Sequence, residues 1–374
     1  MHNVFDESRI NHLILQNRLV RSATWEGMAD DSGAPTAKLA AYCRTLAKGG
    51  IGLIISGYAA VSPEGLQLPG QLLIADDRSA GAYGDLANAV HAEGGKILLQ
   101  LVHCGGQASS RVSGQRTVAP TAIKTEQYSE EPTELSRGDI ERVISGFAAA
   151  AGRAKSWGFD GVQLHAAHGY LISQFLSPLT NHRSDPYGGD SEKRRTFLLE
   201  VFRTCRTAVG KEFPILVKLN GSDNLAGGCT TDEAVTTAQA LAAEGVDAIE
   251  VSGGTPASGK ETPVRVGIER REDEAYNLPA ALRIKEAVSC PVMVVGGFRS
   301  FEMVEGVLRR QEADYVSLSR PLIREPNLPR RWQEGERGRA RCISCNGCFK
   351  PGLKEGGIYC VVEKIERENR TTTL

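Results

Sequence analysis

The chain has 374 residues, 41% of them hydrophobic and 24% charged, and its formal net charge is −1. This near balance gives no electrostatic reason to expect nucleic acid or an anionic membrane as a partner. No apolar run reaches the ~20 residues of a membrane span, and the polar start MHNVFDESRINH lacks the pattern of a signal peptide, so we expect a cytoplasmic protein. In a reducing cytoplasm, nine cysteines favour free thiols plus a metal site over a disulfide framework.

Short strand-like apolar runs alternate along the chain with longer segments of helical spacing. The predicted strands are 18–24, 52–57, 96–101, 161–165, 215–219, 248–253, 292–297 and 315–319. The helical segments between them include 79–93, 139–157, 191–209, 231–244, 279–288 and 300–310. Eight such units predict an α/β fold, a (β/α)8 TIM barrel. An open doubly wound sheet is the alternative, but no G-x-G-x-x-G motif follows a strand.

The barrel is predicted to close near residue 323, giving a barrel domain of residues 1–328 and a cysteine-rich extension of residues 329–374. Residues 104–136 form a long polar insertion, which we interpret as a lid. Together with the loop 254–275, this insertion is expected to select the substrate.

Functional residues of this fold gather where the strands end. Gln100 lies near the end of the third predicted strand, and its amide can both donate and accept hydrogen bonds. His165 closes the fourth strand, and His168 and Tyr170 follow in the turn. Two imidazoles and a phenol at one rim can bind a carbonyl oxygen and supply a proton, although satisfied structural histidines fit the spacing equally well. A histidine metal site is disfavoured, because the turn has no carboxylate at ligand spacing.

The later strands provide charge. Lys218 lies in an apolar strand, where its charge needs a partner, and this favours an anionic ligand over a lysine that reaches solvent. Gly296 and Gly297 end the seventh strand, and Ser319 and Arg320 end the eighth. Backbone N–H groups beside glycines and an arginine fork suit a phosphate group, which this fold binds at these two loops.

Several motifs give the chain a resemblance to the Old Yellow Enzyme family of FMN-dependent ene-reductases over nearly its full length. They are NRLVRSA (17–23), LLQLVH (98–103), HAAHGYLISQFLSP (165–178), NHRSDPYGG (181–189) and SLSRPLIREP (317–326).

The resemblance implies that FMN lies across the strand ends, with Lys218 beside the flavin N1. The other residues that it implies around the flavin are Ala23, Thr24, Gly57, Gln100 and His165. It assigns Gly296, Gly297, Ser319 and Arg320 to the flavin phosphate.

For catalysis, the resemblance implies that His165 and His168 bind the substrate carbonyl and that Tyr170 gives a proton to the α-carbon. The implied substrate is a small α,β-unsaturated carbonyl compound or thioester, and the implied reductant is NAD(P)H, acting directly or indirectly. Trp25 departs from the family, many of whose members carry Thr or Cys near the flavin C4 carbonyl.

Four cysteines lie close together near the end of the chain, in the spacing C-x2-C-x2-C-x11-C. They are Cys342, Cys345, Cys348 and Cys360. Four thiolates can hold zinc or a [4Fe–4S] cluster, and a thiol redox switch is a third interpretation. The resemblance favours the cluster, because the branch that includes 2,4-dienoyl-CoA reductase and trimethylamine dehydrogenase carries one immediately after the barrel.

Members of that branch carry a second half that feeds the cluster, whereas this chain ends at residue 374. We therefore expect an electron-transfer protein as partner. Separately, we expect the chain to form a homo-oligomer. One alternative is an NAD(P)H-driven ene-reductase with a structural zinc tail, and another is an oxidative enzyme similar to amine dehydrogenases.

Overall fold

The computed structural model describes residues 2–372, whose central feature is a closed parallel β-barrel surrounded by helices. The strands are β1 (Ser8–Ile10), β2 (Leu13–Leu15), β3 (Leu19–Arg21), β4 (Leu53–Ile55), β5 (Ala59–Ala60), β6 (Leu72–Leu73), β7 (Ile97–Val102), β8 (Val118–Ala119), β9 (Thr133–Glu134), β10 (Gly161–Ala166), β11 (Ile215–Asn220), β12 (Ala248–Ser252), β13 (Val292–Val295) and β14 (Tyr315–Leu318).

The helices lie mainly between the barrel strands, as in βα units. They are α1 (Ala37–Lys48), α2 (Ala80–His91), α3 (Ser110–Ser113), α4 (Arg137–Ser156), α5 (Leu171–Leu176), α6 (Ser191–Arg194), α7 (Thr196–Val209), α8 (Thr231–Ala243), α9 (Leu278–Ala287), α10 (Phe301–Arg309), α11 (Arg320–Arg324), α12 (Leu328–Gln333), α13 (Phe349–Lys354) and α14 (Val361–Thr372). None of the helices within residues 2–372 is both long enough and apolar enough to span a bilayer.

The barrel closes through parallel pairs in the order β3, β4, β7, β10, β11, β12, β13 and β14, and β14 pairs with β3 to complete the circle. Each of the eight predicted strands overlaps one of these barrel strands, so the (β/α)8 prediction is confirmed. Side chains alternate along each strand, as the pleat requires. In β4, for example, Leu53 and Ile55 belong to the apolar cluster inside the barrel, whereas Ile54 packs outward against the helices.

The hairpin β1–β2, which the sequence patterns did not predict, closes the N-terminal end of the barrel. Ile10, Leu13 and Leu15 pack against residues near the beginnings of barrel strands, including Leu53 and Tyr315. Because this end is sealed by apolar side chains, the polar residues of the barrel interior lie towards the opposite end.

The C-terminal extension lies across the open end of the barrel. The Ala340 N–H donates to the Arg299 carbonyl at 2.8 Å, and the Ile358 N–H donates to the Glu26 carbonyl at 2.9 Å. Arg299 and Glu26 follow barrel strands, so these bonds attach the extension to the end of the fold where sites are formed.

Candidate active site

A cavity of about 430 Å³ opens at the C-terminal ends of the barrel strands. Small-molecule sites have volumes of ~300–1,000 Å³. Besides the strand ends, the loop 254–275 and the C-terminal extension line it, the latter through Ser344, Asn346, Phe349 and Leu353. From the predicted lid, Gln107 lines the cavity. Other residues of the predicted lid form α3 and the pair β8–β9, so the extension contributes more residues to the cavity wall than the predicted lid does.

The predicted histidine pair and tyrosine lie together in one wall of the cavity. His165 is the last residue but one of β10. The chain then turns through His168, whose φ of 63° lies in the left-handed region. The ring centroid of His165 is 4.9 Å from that of His168 and 4.9 Å from that of Tyr170, and the rings are nearly perpendicular in both pairs. The Nε2 of His168 is 2.7 Å from Ser252 Oγ.

Burial fixes the protonation of all three groups. Burial, with smaller contributions from His168 and Lys218, lowers the pKa of His165 well below its usual value. Burial and the Lys218 charge lower the pKa of His168 to about 3. Burial also raises the pKa of Tyr170. At neutral pH the wall therefore presents two neutral imidazoles and a protonated phenol, all of which can donate hydrogen bonds to an oxygen.

The depressed pKa of His168 predicts a specific pH dependence of stability. An unfolded histidine takes up its proton near pH ~6.5, whereas folded His168 does so near pH 3. Between these values the unfolded state binds more protons, so this contribution to stability falls as the pH falls, by at most ~1.4 kcal/mol per pH unit. We expect His168→Asn to lose less stability than the wild type in urea unfolding as the pH falls from 6.5 to 4.5. A wild-type–variant difference that stays constant over this range would contradict the depressed pKa.

Lys218 belongs to a buried polar network beneath the cavity. Its Nζ donates to Glu250 Oε2 at 2.7 Å and to Ser22 Oγ at 2.8 Å. Gln163 Nε2 donates to the same Glu250 oxygen at 2.9 Å, and Gln100 Nε2 donates to Gln163 Oε1 at 2.7 Å. The network thus joins two predicted site residues, Gln100 and Lys218, through two residues that the sequence analysis did not select.

Glu250 supplies the counter-charge that an anionic ligand was expected to supply, so the charge of Lys218 does not by itself indicate such a ligand. Glu250 is completely buried, and it is aligned with Lys218 in the pairing of β12 with β11. Burial raises the pKa of Glu250, but the charge of Lys218 and the hydrogen bonds from Lys218, Ser22 and Gln163 together outweigh burial, so the net pKa is lowered. An acidic residue in the apolar run 248–253 was the available signal for it.

The glycines after β13 lie where predicted, and the packing of Tyr276 gives a further reason for glycine at both positions. A Cβ atom at Gly296 or Gly297 would lie 3.0 Å from atoms of the Tyr276 ring. Their φ angles of 151° and 73° also favour glycine. The missing side chains therefore make room for Tyr276, and Gly297 lines the cavity.

Two buried arginines, Arg299 and Arg320, line the cavity together with Gly297. Arg299 was not among the predicted site residues. Arg320 Nη1 donates to Asn346 Oδ1 at 2.6 Å and to the carbonyls of Arg265 and Ser344. Arg299 donates to backbone carbonyls as well, and its Nε has no partner within residues 2–372. Arg299 is only 8% exposed and Arg320 only 7%. Within residues 2–372, neither guanidinium forms an ion pair with a carboxylate. Two buried positive charges with neutral partners fit an anionic group such as a phosphate.

The remaining predicted flavin residues divide into two groups. Ala23, Thr24 and Ser319 line the cavity, and the hydroxyls of Thr24 and Ser319 are 2.7 Å apart. Gly57 and Gly296 are not among its lining residues. Gly57 faces Glu26 instead, since a Cβ there would lie 2.0 Å from Glu26 Oε2.

Trp25 lines the cavity, as its place in the sequence implied, and is 7% exposed. Its six-membered ring packs against Gly352 of the extension, where a Cβ atom would lie 2.7 Å from the indole. The bulk of Trp25 is therefore accommodated by a glycine in the C-terminal extension.

Three further residues of the cavity wall that the sequence analysis did not select are Tyr58, Gln67 and Tyr276. Tyr58 follows β4, and Gln67 lies in the next loop. Gln67 lies away from every predicted strand end, whereas Tyr58 directly follows the predicted strand 52–57, and that position was the available signal for it.

The four predicted cysteine ligands line one small cavity of about 20 Å³ in the extension. Cys348 is buried and Cys345 is exposed, and Arg324 Nη1 is 3.7 Å from Cys360 Sγ. Arg320 and Asn346 line this small cavity and the large one as well. Within residues 2–372, no group of three or more His, Cys, Asp or Glu side chains is arranged to hold a metal ion as it stands.

Comparison with known proteins gives one family over most of the chain. The model of the NADH:flavin oxidoreductase / NADH oxidase family matches residues 3–338. An NADH oxidase of Thermoanaerobacter brockii is 38% identical over 351 residues, which cover 93% of this chain and 53% of the relative.

Two solved structures have the same fold. A 2-naphthoyl-CoA reductase in complex with 2-naphthoyl-CoA superposes with a TM-score of 0.88 at 27% identity, covering 96% of this chain and 56% of that one. The Old Yellow Enzyme homologue of Zymomonas mobilis superposes with a TM-score of 0.79 at 28% identity, covering 94% and 98%. The chain thus spans about half the length of the NADH oxidase and of the naphthoyl-CoA reductase.

Proposed function

This chain belongs to the NADH:flavin oxidoreductase / NADH oxidase family, and from that premise we propose that it is an FMN-dependent ene-reductase. Its substrate would be an α,β-unsaturated carbonyl compound or thioester, and its reductant NAD(P)H, acting directly or through a redox partner. The resemblance to Old Yellow Enzymes that the motifs predicted is confirmed at the level of the family.

One observation carries the proposal: a single cavity joins hydrogen-bond donors for a carbonyl oxygen to a positively charged pocket for a phosphate. The donors are the neutral imidazoles of His165 and His168 and the phenol of Tyr170. The charges are those of Arg299 and Arg320, which face neutral partners in the part of the chain that the structure describes. A ligand with a phosphate and a substrate with a carbonyl group can therefore share this cavity.

The residues that would hold FMN are the cavity-lining members of the predicted set together with Arg299. Arg299 and Arg320 would hold the phosphate, while Lys218 and Gln100 would contact the flavin ring. When bound, FMN supplies the electron pair that reduces the alkene. Lys218 would place a positive charge beside the ring, and Glu250 would partly offset that charge.

The protein's own chemistry lies in the wall formed by His165, His168 and Tyr170. Imidazole N–H groups donate to the carbonyl oxygen and stabilise the negative charge that develops there as the alkene is reduced. Tyr170 then protonates the α-carbon. Its O–H bond breaks, a C–H bond forms, and the phenolic oxygen keeps the electron pair. Because both histidines are neutral, Tyr170 is the protonated acid of this wall.

Single-turnover kinetics of the purified protein test this function. We expect bound flavin, released on denaturation, to be FMN, and its absorbance to be restored when the reduced protein is mixed anaerobically with cyclohex-2-enone or crotonyl-CoA. Consumption of the alkene in proportion to the reoxidised flavin would support the proposal. Reoxidation by neither compound, although flavin is bound and reduced, would contradict it for enones and enoyl thioesters.

We further propose that Cys342, Cys345, Cys348 and Cys360 hold a [4Fe–4S] cluster that receives electrons from a redox partner. Supporting this proposal, the four cysteines line one cavity, and Arg320 and Asn346 line both this cavity and the one assigned to FMN. Cys345 is exposed, which leaves the segment accessible from outside.

Metal analysis tests the cysteine assignment. Protein purified without oxygen should contain ~4 irons and ~4 sulfides per chain, and Cys348→Ser should lose most of the iron. Cys290→Ser is the matched control, because Cys290 lies outside the group and should not affect the iron content. One zinc without iron would instead support a structural zinc tail and direct reduction by NAD(P)H. Protein with neither metal would contradict both assignments.

A further inference from the structure

We propose that Tyr58 stabilises the phenolate that Tyr170 becomes after giving its proton to the substrate, and that Gln67 holds the two phenols in position. This inference rests on the proposed function and extends it. Tyr58 would be a positioning and charge-stabilising residue that acts through Tyr170.

The three side chains meet at one point of the cavity wall. Tyr170 Oη donates to Gln67 Oε1 at 2.9 Å, and Tyr58 Oη donates to the same oxygen at 3.1 Å. The two phenol rings lie side by side, with centroids 5.6 Å apart. All three residues line the cavity. One amide oxygen therefore brings two phenolic hydroxyls together beside the substrate position.

The loop around Gln67 fixes the position of this oxygen. The backbone N–H groups of Gln67 and Leu68 both donate to Gln71 Oε1, at 2.8 and 3.3 Å. Gln71 is buried, and its Nε2 is 3.8 Å from Cys104 Sγ. Because the buried Gln71 side chain binds the backbone of this loop, the position of Gln67 is fixed without any contribution from a ligand.

Proton transfer changes what Tyr170 needs from its neighbours. Before transfer, the phenol is a donor and the Gln67 oxygen satisfies it. After transfer, Tyr170 Oη is negative and accepts only, so the Gln67 oxygen no longer suits it. The Tyr58 hydroxyl, which shares the Gln67 oxygen with Tyr170, can then turn its hydrogen from Gln67 towards Tyr170 Oη. A hydrogen bond to a charged oxygen is about twice as strong as a neutral one.

Burial makes such a donor necessary. Burial is the main reason that the pKa of Tyr170 is raised, and a hydrogen bond from Tyr58 acts in the opposite direction. His165, whose ring is perpendicular to that of Tyr170, is neutral and would be engaged with the substrate carbonyl. Tyr58 is therefore the hydroxyl placed to lower the energy of the phenolate, which later regains its proton from water.

A double-mutant cycle in single-turnover kinetics tests the inference. Flavin-reduced protein is mixed with cyclohex-2-enone for wild type, Tyr58→Phe, Tyr170→Phe and the double variant. Tyr58→Phe should slow alkene reduction ~10- to 100-fold, the weight of a hydrogen bond to a charged group. It should leave flavin reduction unchanged and increase the solvent deuterium isotope effect on alkene reduction. In the Tyr170→Phe background, Tyr58→Phe should cause no further slowing.

Two further variants keep the test decisive. Gln67→Leu removes the shared acceptor and should slow the same step, which provides a second test if Tyr58→Phe folds poorly. Tyr83→Phe is the matched control, because Tyr83 is a buried phenol whose hydroxyl donates to the Leu73 carbonyl at 3.0 Å, away from the cavity. It should leave both half-reactions unchanged.

The outcomes separate failure of this inference from failure of the proposed function. If Tyr170→Phe slows alkene reduction but Tyr58→Phe and Gln67→Leu do not, the role of Tyr58 is wrong and the proton donor stands. Equal slowing by Tyr58→Phe with and without Tyr170 would also overturn it, since Tyr58 would then act independently. If Tyr170→Phe itself has no effect, the proton-donor assignment fails first.

Discussion

Replacing Tyr170 by phenylalanine is expected to slow alkene reduction by ~10²-fold or more while leaving flavin reduction nearly intact. In the proposed mechanism, the phenol takes part only when the substrate carbon receives its proton. Tyr170 is also the group of its wall that is protonated at neutral pH, because burial keeps both neighbouring imidazoles neutral.

Stopped-flow absorbance separates the two half-reactions, since the flavin loses its colour in one and regains it in the other. Tyr187→Phe is a suitable control, because Tyr187 donates to Glu200 Oε2 at 2.9 Å and does not line the cavity. Equal slowing of both half-reactions in Tyr170→Phe would mean that the variant disturbs the flavin site, and the proton-donor role would then be unsupported.

The fold could be predicted because its signal is periodic and local. Each barrel strand is a short apolar run, and strand ends of this fold form the site whatever the chemistry. The hairpin β1–β2 escaped prediction because its strands are three residues long, as in SRI and LIL, which is too short for a pattern to be recognised.

Within the site, residues that act alone at a strand end could be predicted, and residues that act in pairs could not. Glu250 matters because the pairing of β11 with β12 places it beside Lys218, and nothing in the sequence states that register. Gln67 matters because two phenols from different loops converge on it. Such roles are set by tertiary packing between segments far apart in the chain.

The glycines after β13 show how a correct position can be predicted for an incomplete reason. Gly297 was selected because a bare backbone suits an anion, yet the Tyr276 ring fills the space that a Cβ atom would need. The positive charges that line the cavity with Gly297 are those of Arg299 and of Arg320, which was also predicted. Arg299 follows these glycines by two residues in the motif GGFR, and that proximity was the signal that could have identified it.

Lys218→Met is expected to destabilise the protein by ~3–5 kcal/mol, because it leaves the Glu250 carboxylate buried without its charge partner. The loss comes from Glu250, which is completely buried and whose second oxygen, Oε1, has no partner within residues 2–372. Adding Glu250→Gln should therefore restore much of the stability, since a neutral amide can keep the contact with Gln163. Both variants lack any contact of Lys218 with flavin, so the difference between them isolates the buried charge.

The dependence on pH gives this prediction a second, independent test. In the wild type, the ion pair keeps the pKa of Glu250 lowered, so its stabilisation is present above the unfolded value of ~4.3 and is lost as the pH falls. Without Lys218, only the hydrogen bonds from Ser22 and Gln163 still oppose burial, so we expect the folded pKa to be raised and the folded state to bind the extra proton. Relative to the wild type, Lys218→Met should then become less stable as the pH rises from 5 to 7.5 in urea unfolding. Equal stability of Lys218→Met and the double variant across this range would contradict the prediction. It would mean that the Glu250 carboxylate does not need the Lys218 charge for its stability.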